Sequence, residues 1–364
     1  MSSHTIFDYW LAAITDLPGH YKIKIKKHFP DLEAFCSLSS DEISRIPWIT
    51  DPQKTMINRA KPISCLQREY EQMESLGVRM ITWQDPEYPQ ILDTVHDQPF
   101  AVFVKGTLPP AERKTVSVVG ARACSPYGKK QTRELTKNLV SAGFSIVSGM
   151  ASGVDGLAQQ TALDSGGYSL AVLGCGANIC YPKHHKDLYD KLTEHGGILS
   201  EYPLYEQPVK YHFPQRNRLI SALSDAVIVI EAREKSGSLI TADFALEQGR
   251  DIYALPGPVD SPLSCGCHRL IAQGARIILS PEQLIRDLGG TAGITKTAVE
   301  TGDIPGDLSE TEESVYRYLS FTPVKLSELE LMTGMDTSLV ARTLMGLQLR
   351  GLVSELSRQC YIRV

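Results

Sequence analysis

Between residues 101 and 288, short apolar runs rich in β-branched residues alternate with helical patterns, and this alternation most constrains the fold. The runs AVFVKG, VSVVG, FSIVSG, SLAVLGCG, GILSEY, AVIVIEA, DIYALPG and RIILS lack the polar alternation of a half-exposed strand. Such strands are buried on both faces, as in a parallel sheet covered by helices. Between them lie SPYGKKQTRELTKNLVSAG, SGVDGLAQQTALDSG and SLITADFALEQG, with helical spacing and terminal glycines. The predicted fold class is α/β, a doubly wound sheet.

The flanks differ. Residues 1–75 read as a helical domain through IFDYWLAAITDL, YKIKIKKHF, DLEAFCSLSSDEISRI and KPISCLQREYEQMESLG, although Tyr21–Phe29 also alternates as a strand would. A domain over 76–288 holds the sheet. A Gly/Thr-rich tether is expected over 289–308. Residues 309–364 offer three helical patterns and two strand candidates, LVSEL and CYIRV, the order of a winged helix. From residue 308 onward seven acids (Glu310, Glu312, Glu313, Glu328, Glu330, Asp336, Glu355) face six bases (Arg317, Lys325, Arg342, Arg350, Arg358, Arg363). A duplex-reading module wants a basic face, so this tail reads as a protein-docking or self-packing module.

Ligands of an open parallel sheet bind outside the carboxyl ends of its strands, where helix N-termini present unpaired N–H groups. VVGARACSPYG, VSGMASGVDG, LGCGANICYPKHH and EAREKSGSLITADFA each place Gly and Ser or Thr there, including Gly120, Arg122, Ser148, Gly149, Ser236, Gly237 and Thr241. Upstream of AVIVIEA, the stretch KYHFPQRNR gathers Lys210, Phe213, Arg216, Asn217 and Arg218 around an expected Phe-Pro turn. Cations suit phosphates and an aromatic face suits a base, which is how single-stranded nucleic acid is held. The net charge of −5 means that any such binding comes from a local patch. In YKIKIKKHF, Lys22, Lys24, Lys26 and Lys27 could add to it or form a solvated face.

Other functions lack their signatures. G-x-G-x-x-G is incomplete after VSVVG and G-x-x-x-x-G-K-[ST] is missing, which argues against a dinucleotide or ATP cofactor. SCGCH has no second Cys/His pair at zinc spacing, so no metal is expected. Neither G-x-S-x-G nor H-E-x-x-H occurs, and a non-enzymatic binding protein is expected. The alternative is a Rossmann-type enzyme processing a nucleotide or nucleoside phosphate, with Asp155 or Glu201 as acid/base. No run reaches the length of a membrane span, and the N-terminus lacks a basic signal-peptide start, so the cytoplasm is expected.

VSVVGAR, SGMASGVDGLAQQTAL, AVLGCGANICYPKHH, GILSEYPL, KYHFPQRNRLISALSDAVIVIEAREKSGSLITADFALEQGRDIYALPGPV and GCHRLIAQGA, in this order, strongly resemble the DNA-processing protein A (DprA/Smf) family. The resemblance implies an extended Rossmann-like sheet domain, a sterile-alpha-motif-like N-terminus and a winged-helix C-terminus. It implies a homodimeric recombination mediator that binds single-stranded DNA, protects incoming strands in natural transformation and helps load the RecA recombinase. The family's pocket arginine falls on Arg122, and its DNA-contacting lysine and aromatic fall on Lys210 and Phe213. Its dimer contact maps near Leu270, Ile271 and Ile277. Where the family usually has Arg and His, this chain has Ser152 and Gln159, with Arg218 or Lys235 as candidate replacements.

Overall fold

The computed structural model describes residues 4–110, 112–290, 308–319, 323–357 and 359–363. The chain separates into two compact units, Met1–Ala292 and Gly293–Val364. The interior of the expected tether lies outside the described residues.

The first unit is built on a nine-stranded sheet: β1 (Val78–Thr82), β2 (Ala101–Gly106), β3 (Thr115–Val119), β4 (Ser145–Ser148), β5 (Ser169–Leu173), β6 (Gly197–Ser200), β7 (Ala226–Val229), β8 (Asp251–Ala254) and β9 (Arg276–Ile277). Their order is β1-β2-β6-β5-β4-β3-β7-β8-β9. From β6 to β9 all pairs are parallel, while β1 and β2 add an antiparallel edge. The chain runs outward from β3 to β6 and then returns to place β7 on the other side of β3. The crevice between the carboxyl ends of β3 and β7 is therefore the topological switch point, where such sheets hold ligands.

Every residue of β4, β5, β6 and β7 is buried, as their uninterrupted apolar sequences predict. Alternate side chains feed two layers. Val116, Val118, Ile146, Ala226 and Ile228 pack with Leu135, Leu139, Val154 and Ala158 of helices Pro126–Ser141 and Val154–Asp164. Val119, Val147, Val227 and Val229 pack with Leu219, Ile220, Leu239 and Ala242 of helices His212–Ala222 and Gly237–Glu247.

The N-terminal helices share a core with the antiparallel half of the sheet. Tyr9 meets Phe103 edge-on at 5.7 Å, and its hydroxyl donates to Glu69 at 3.0 Å while accepting from the Leu204 amide. Tyr21–Phe29 resolves as helix, Gly19–His28. None of its lysines is simply solvated. Lys22 is buried with its ammonium on the Ala12 carbonyl at 2.9 Å, and Lys26 pairs with Asp8 at 2.8 Å. Lys24 and Lys27 lie over the rings of Trp48 and Trp83. Among the described residues, no helix is long and apolar enough to cross a membrane.

The second unit packs helices Glu310–Tyr318, Leu326–Thr333 and Thr337–Leu349 against a small sheet of β10 (Val324–Lys325), β11 (Val353–Ser357) and β12 (Cys360–Arg363), ordered β10-β12-β11. Val315, Leu329, Val340, Leu344 and Leu347 form its core. Arg363 is no surface cation: it is buried, donates to the Tyr316 carbonyl, and lies 4.1 Å from that residue's ring centroid. Arg358 lies outside the described residues. The exposed surface includes Leu331, Met332, Met345 and Leu349.

Candidate nucleic-acid interface

The expected Phe-Pro turn is helical: within KYHFPQRNR only Lys210 and Tyr211 form a turn. His212 begins a helix that runs to Ala222, with Pro214 in its first turn, where the missing N–H has no intrahelical partner to lose. Eleven residues at about 1.5 Å each carry the chain back about 16 Å, so Lys210 and Phe213 stand at the carboxyl ends of the strands.

A cavity of about 650 Å³ opens at the switch point. Gly120 and Arg122 line it after β3, and Arg233, Lys235, Ser236 and Gly237 line it after β7. Lys210, Phe213, Arg216 and Asn217 close it from the returning helix, Thr241 from the next helix, and Tyr181 from the turn after β5. Five cations thus face one lining carboxylate, Asp155, and the local field is positive in a chain whose total is acidic. Arg122, Lys210, Arg233 and Lys235 are exposed, and among the described residues none of them forms an ion pair.

Two helix N-termini point here. Ser236 caps helix Gly237–Glu247, its hydroxyl accepting from the Ser238 amide at 3.4 Å and lying 2.8 Å from the Ser238 hydroxyl. A Cβ on Gly237 would meet nothing within 4 Å, so that backbone faces open space. Asn217 donates to the Gly237 carbonyl at 3.2 Å and ties the two helices together. Gly120 answers a different need, since a Cβ there would lie 2.8 Å from Val154.

Three expected contact residues turn inward instead. Ser148 is buried and donates to the Val118 carbonyl at 2.7 Å. The Gly149 amide donates to Asp155 at 3.1 Å, while its carbonyl accepts from Arg216 at 2.9 Å. Arg218 lies outside the cavity and its Nη2 meets both oxygens of Glu201, at 2.8 and 2.6 Å. The same pairing occupies Glu201, so neither an extra DNA cation nor an acid/base at the cavity comes from these two. Lys235, the other candidate replacement, does line the cavity.

Arg216 supports the cavity from beneath. It is buried, donates to the Gly149 and Val172 carbonyls, and burial draws its pKa down to about 10. Burial also pushes the Asp155 carboxyl above the usual carboxylate range, opposed by the Arg216 charge and the Gly149 amide. Gln159 is fully buried, accepting from the Met150 amide at 2.9 Å and donating to the Leu170 carbonyl at 3.0 Å. Ser152 lies 3.2 Å from His184. Both residues therefore have partners in the fold. Cys267 is buried against the Val229 and Ile230 carbonyls, Cys265 is exposed, and His268 lies on the Gly257 carbonyl.

The expected dimer segment divides. Leu270 is buried in the core under β8 and presents no surface, Ile271 is half-buried, and Ile277 is exposed together with Leu279. Sequence reasoning passed over Tyr181 and left Arg233 out of the site. Both lie in the loops that follow parallel strands, β5 and β7, which was the available signal.

The family model described as DNA recombination-mediator protein A matches residues 79–289, and that of the DprA winged helix domain matches residues 300–357. Protein Smf of Escherichia coli K12 is 48% identical over 201 residues, which cover 55% of this chain and 54% of that protein. The chain thus spans about half the length of that relative. DNA processing protein DprA of Streptococcus pneumoniae is 41% identical over 222 residues, covering 61% of this chain and 77% of the relative. The X-ray structure of S. pneumoniae DprA superposes with a TM-score of 0.67 at 34% identity, over 78% of this chain and 98% of that one. The structure of DNA processing protein A from Helicobacter pylori, described for its single-stranded DNA binding mode, superposes with a TM-score of 0.52 at 31% identity, over 58% of this chain and 95% of that one. Sheet order, switch-point cavity and these matches agree, and the chain belongs to the DNA recombination-mediator protein A (DprA/Smf) family.

Proposed function

We propose that the protein binds single-stranded DNA in the switch-point groove. The observation that carries this reading is the set of exposed, unpaired cations Arg122, Lys210, Arg233 and Lys235 around a cavity that also presents aromatic rings. Phosphates would meet these cations and the amides at Gly237, and bases would meet the rings. In this reading affinity comes from backbone charge and stacking. That the H. pylori relative is described for single-stranded DNA binding supports the same reading.

Within that reading the protein is a non-enzymatic recombination mediator. It sheathes incoming strands as a homodimer and passes them to the RecA recombinase. Ile277 and its exposed neighbour Leu279 are the part of the expected dimer segment able to meet a second copy. The winged-helix unit acts in protein docking, in keeping with its exposed Leu331, Met332, Met345 and Leu349.

The test is oligo-dT binding across a salt series. Arg122→Ala and Lys210→Ala should weaken binding and flatten the log–log salt slope by about 0.7 for each phosphate no longer neutralised. A folded double variant with unchanged affinity and slope would remove the proposal. A micromolar mononucleotide site with turnover would instead favour a nucleotide-processing enzyme.

A further inference from the structure

We propose that the exposed row Lys129, Arg133 and Lys137 on helix Pro126–Ser141 carries the bound single strand out of the groove by neutralising its backbone phosphates. The inference rests on the single-stranded DNA reading above and adds a second stretch of contact to it.

Helix Pro126–Ser141 follows β3 through the loop that bears Arg122. Because β3 and β4 are parallel, the helix between them returns from the carboxyl edge of the sheet toward the amino edge. Leu135 and Leu139 lie on its buried side, while Lys129, Arg133 and Lys137 recur every four residues on its exposed side. They form one line descending from the rim of the groove, each about 6 Å further along the axis than the last. That interval is close to the phosphate repeat of an extended strand.

The row is unfavourable for the helix by itself. Lys129 with Arg133, and Arg133 with Lys137, are like-charge pairs at i,i+4, a destabilising spacing. The first turn holds no acidic residue and the last turn no basic one, against the preference of the helix dipole. The helix has a single acidic residue, Glu134, and among the described residues no ion pair engages Lys129, Arg133 or Lys137. Elsewhere the chain settles such charges internally. The lysines of helix Gly19–His28 lie on a carbonyl, a carboxylate and two rings, and Lys186 and Lys191 meet Asp190 and Asp164. A polyanion laid along the row relieves its self-repulsion, and continuity with Arg122 at the rim selects the strand already held in the groove. The amides at the start of this helix add nothing, because Glu231 already accepts from the Ser125 amide and hydroxyl. Contact therefore falls on the side chains.

The experiment measures oligo-dT binding by the full chain against strand length and salt. A strand of about six nucleotides fills the groove, and one of about 20 also reaches the row. Lengthening should raise the parent's affinity and steepen its salt slope. The triple variant Lys129→Gln, Arg133→Gln, Lys137→Gln should bind the short strand as the parent does. On the long strand its slope should be flatter by about 2, so the parent's advantage shrinks about 20-fold between about 50 and 200 mM salt. Arg133→Glu removes misfolding as an explanation. It sets a carboxylate four residues from both lysines, so the urea midpoint should hold or rise while long-strand binding weakens severalfold. A fallen midpoint would show that Arg133 serves the fold and would count against the proposal. If the triple variant keeps the parent's long-strand affinity and slope while Lys210→Ala weakens both strands, the row carries no DNA; the proposal is overturned and the groove reading stands. If the triple variant loses the short strand equally, the row is no extension of the groove and the proposal also falls. If Lys210→Ala binds both strands as the parent does, the groove reading itself fails, and the route out of it with it.

Discussion

Gly149 lies directly against the guanidinium of Arg216: a Cβ on Gly149 would fall 2.6 Å from Nη2 and 2.7 Å from Cζ. The contact explains a glycine at the end of β4 without appeal to any ligand. It also couples the β4 turn to the helix that carries Lys210 and Phe213 at its start. Gly149→Ala should push Arg216 off the Gly149 and Val172 carbonyls and cost about 2–4 kcal/mol, read as a lower urea midpoint. Weaker oligo-dT binding should accompany it. An unchanged midpoint would show that Arg216 has room to move.

Arg218 should separate stability from binding. Its side chain is 10% exposed and meets Glu201, whose side chain is 20% exposed. Arg218→Ala leaves a largely buried carboxylate unpaired and should cost about 3 kcal/mol. Oligo-dT affinity at a temperature where the variant is folded should stay as in the parent, because Arg218 does not line the groove. A loss of affinity with unchanged stability would place Arg218 on the DNA after all.

Lys22 predicts a pH dependence. Its ordinary pKa of 10.5 is drawn down to about 8 by burial. The unfolded chain therefore holds more protons than the folded one between about pH 8 and 10.5, so stability rises with pH across that window. Below pH 8 both states carry the proton and the cost of burying the ammonium is fully present. The urea midpoint should climb from pH 8 to 10. Lys22→Met should flatten that climb and add about 2–3 kcal/mol at pH 7. A parent profile already flat over this range would show that the ammonium is solvated.

The two compact units predict what truncation does. A chain ending at residue 292 should unfold cooperatively and hold oligo-dT as tightly as the full protein, because every residue lining the groove lies in the first unit. Reduced affinity in a folded truncation would give the winged-helix unit a share in DNA binding.

Much of this protein was legible in its sequence because the relevant signals are local. Runs such as Ala226–Val229 are apolar on both faces whatever surrounds them, and they announce buried parallel strands. Gly120 follows its strand directly, and Ser236 and Gly237 open the helix that follows theirs, so their place at the carboxyl edge came with the strand assignment. The Phe-Pro pair misled because a proline in the first turn of a helix looks, in sequence, like a proline in a bend. The segment around Leu270 misled because an apolar run states that it avoids water but not whether core or partner covers it.

Tertiary packing alone assigned the cations. Arg216 and Arg218 are two residues apart, and at 3.6 residues per turn their side chains leave the helix about 200° apart. One lies beneath the groove and the other is paired with Glu201 away from it. Composition and spacing announce that positive charge gathers in this stretch, but its direction depends on the phase of a helix and on which neighbours reach it first. Sequence by itself determined the sheet, its strand-end turns and the family; the folded chain determined that Arg122, Lys210, Arg233 and Lys235 line one cavity, exposed and without an ion pair among the described residues, because no carboxylate of the fold reaches them.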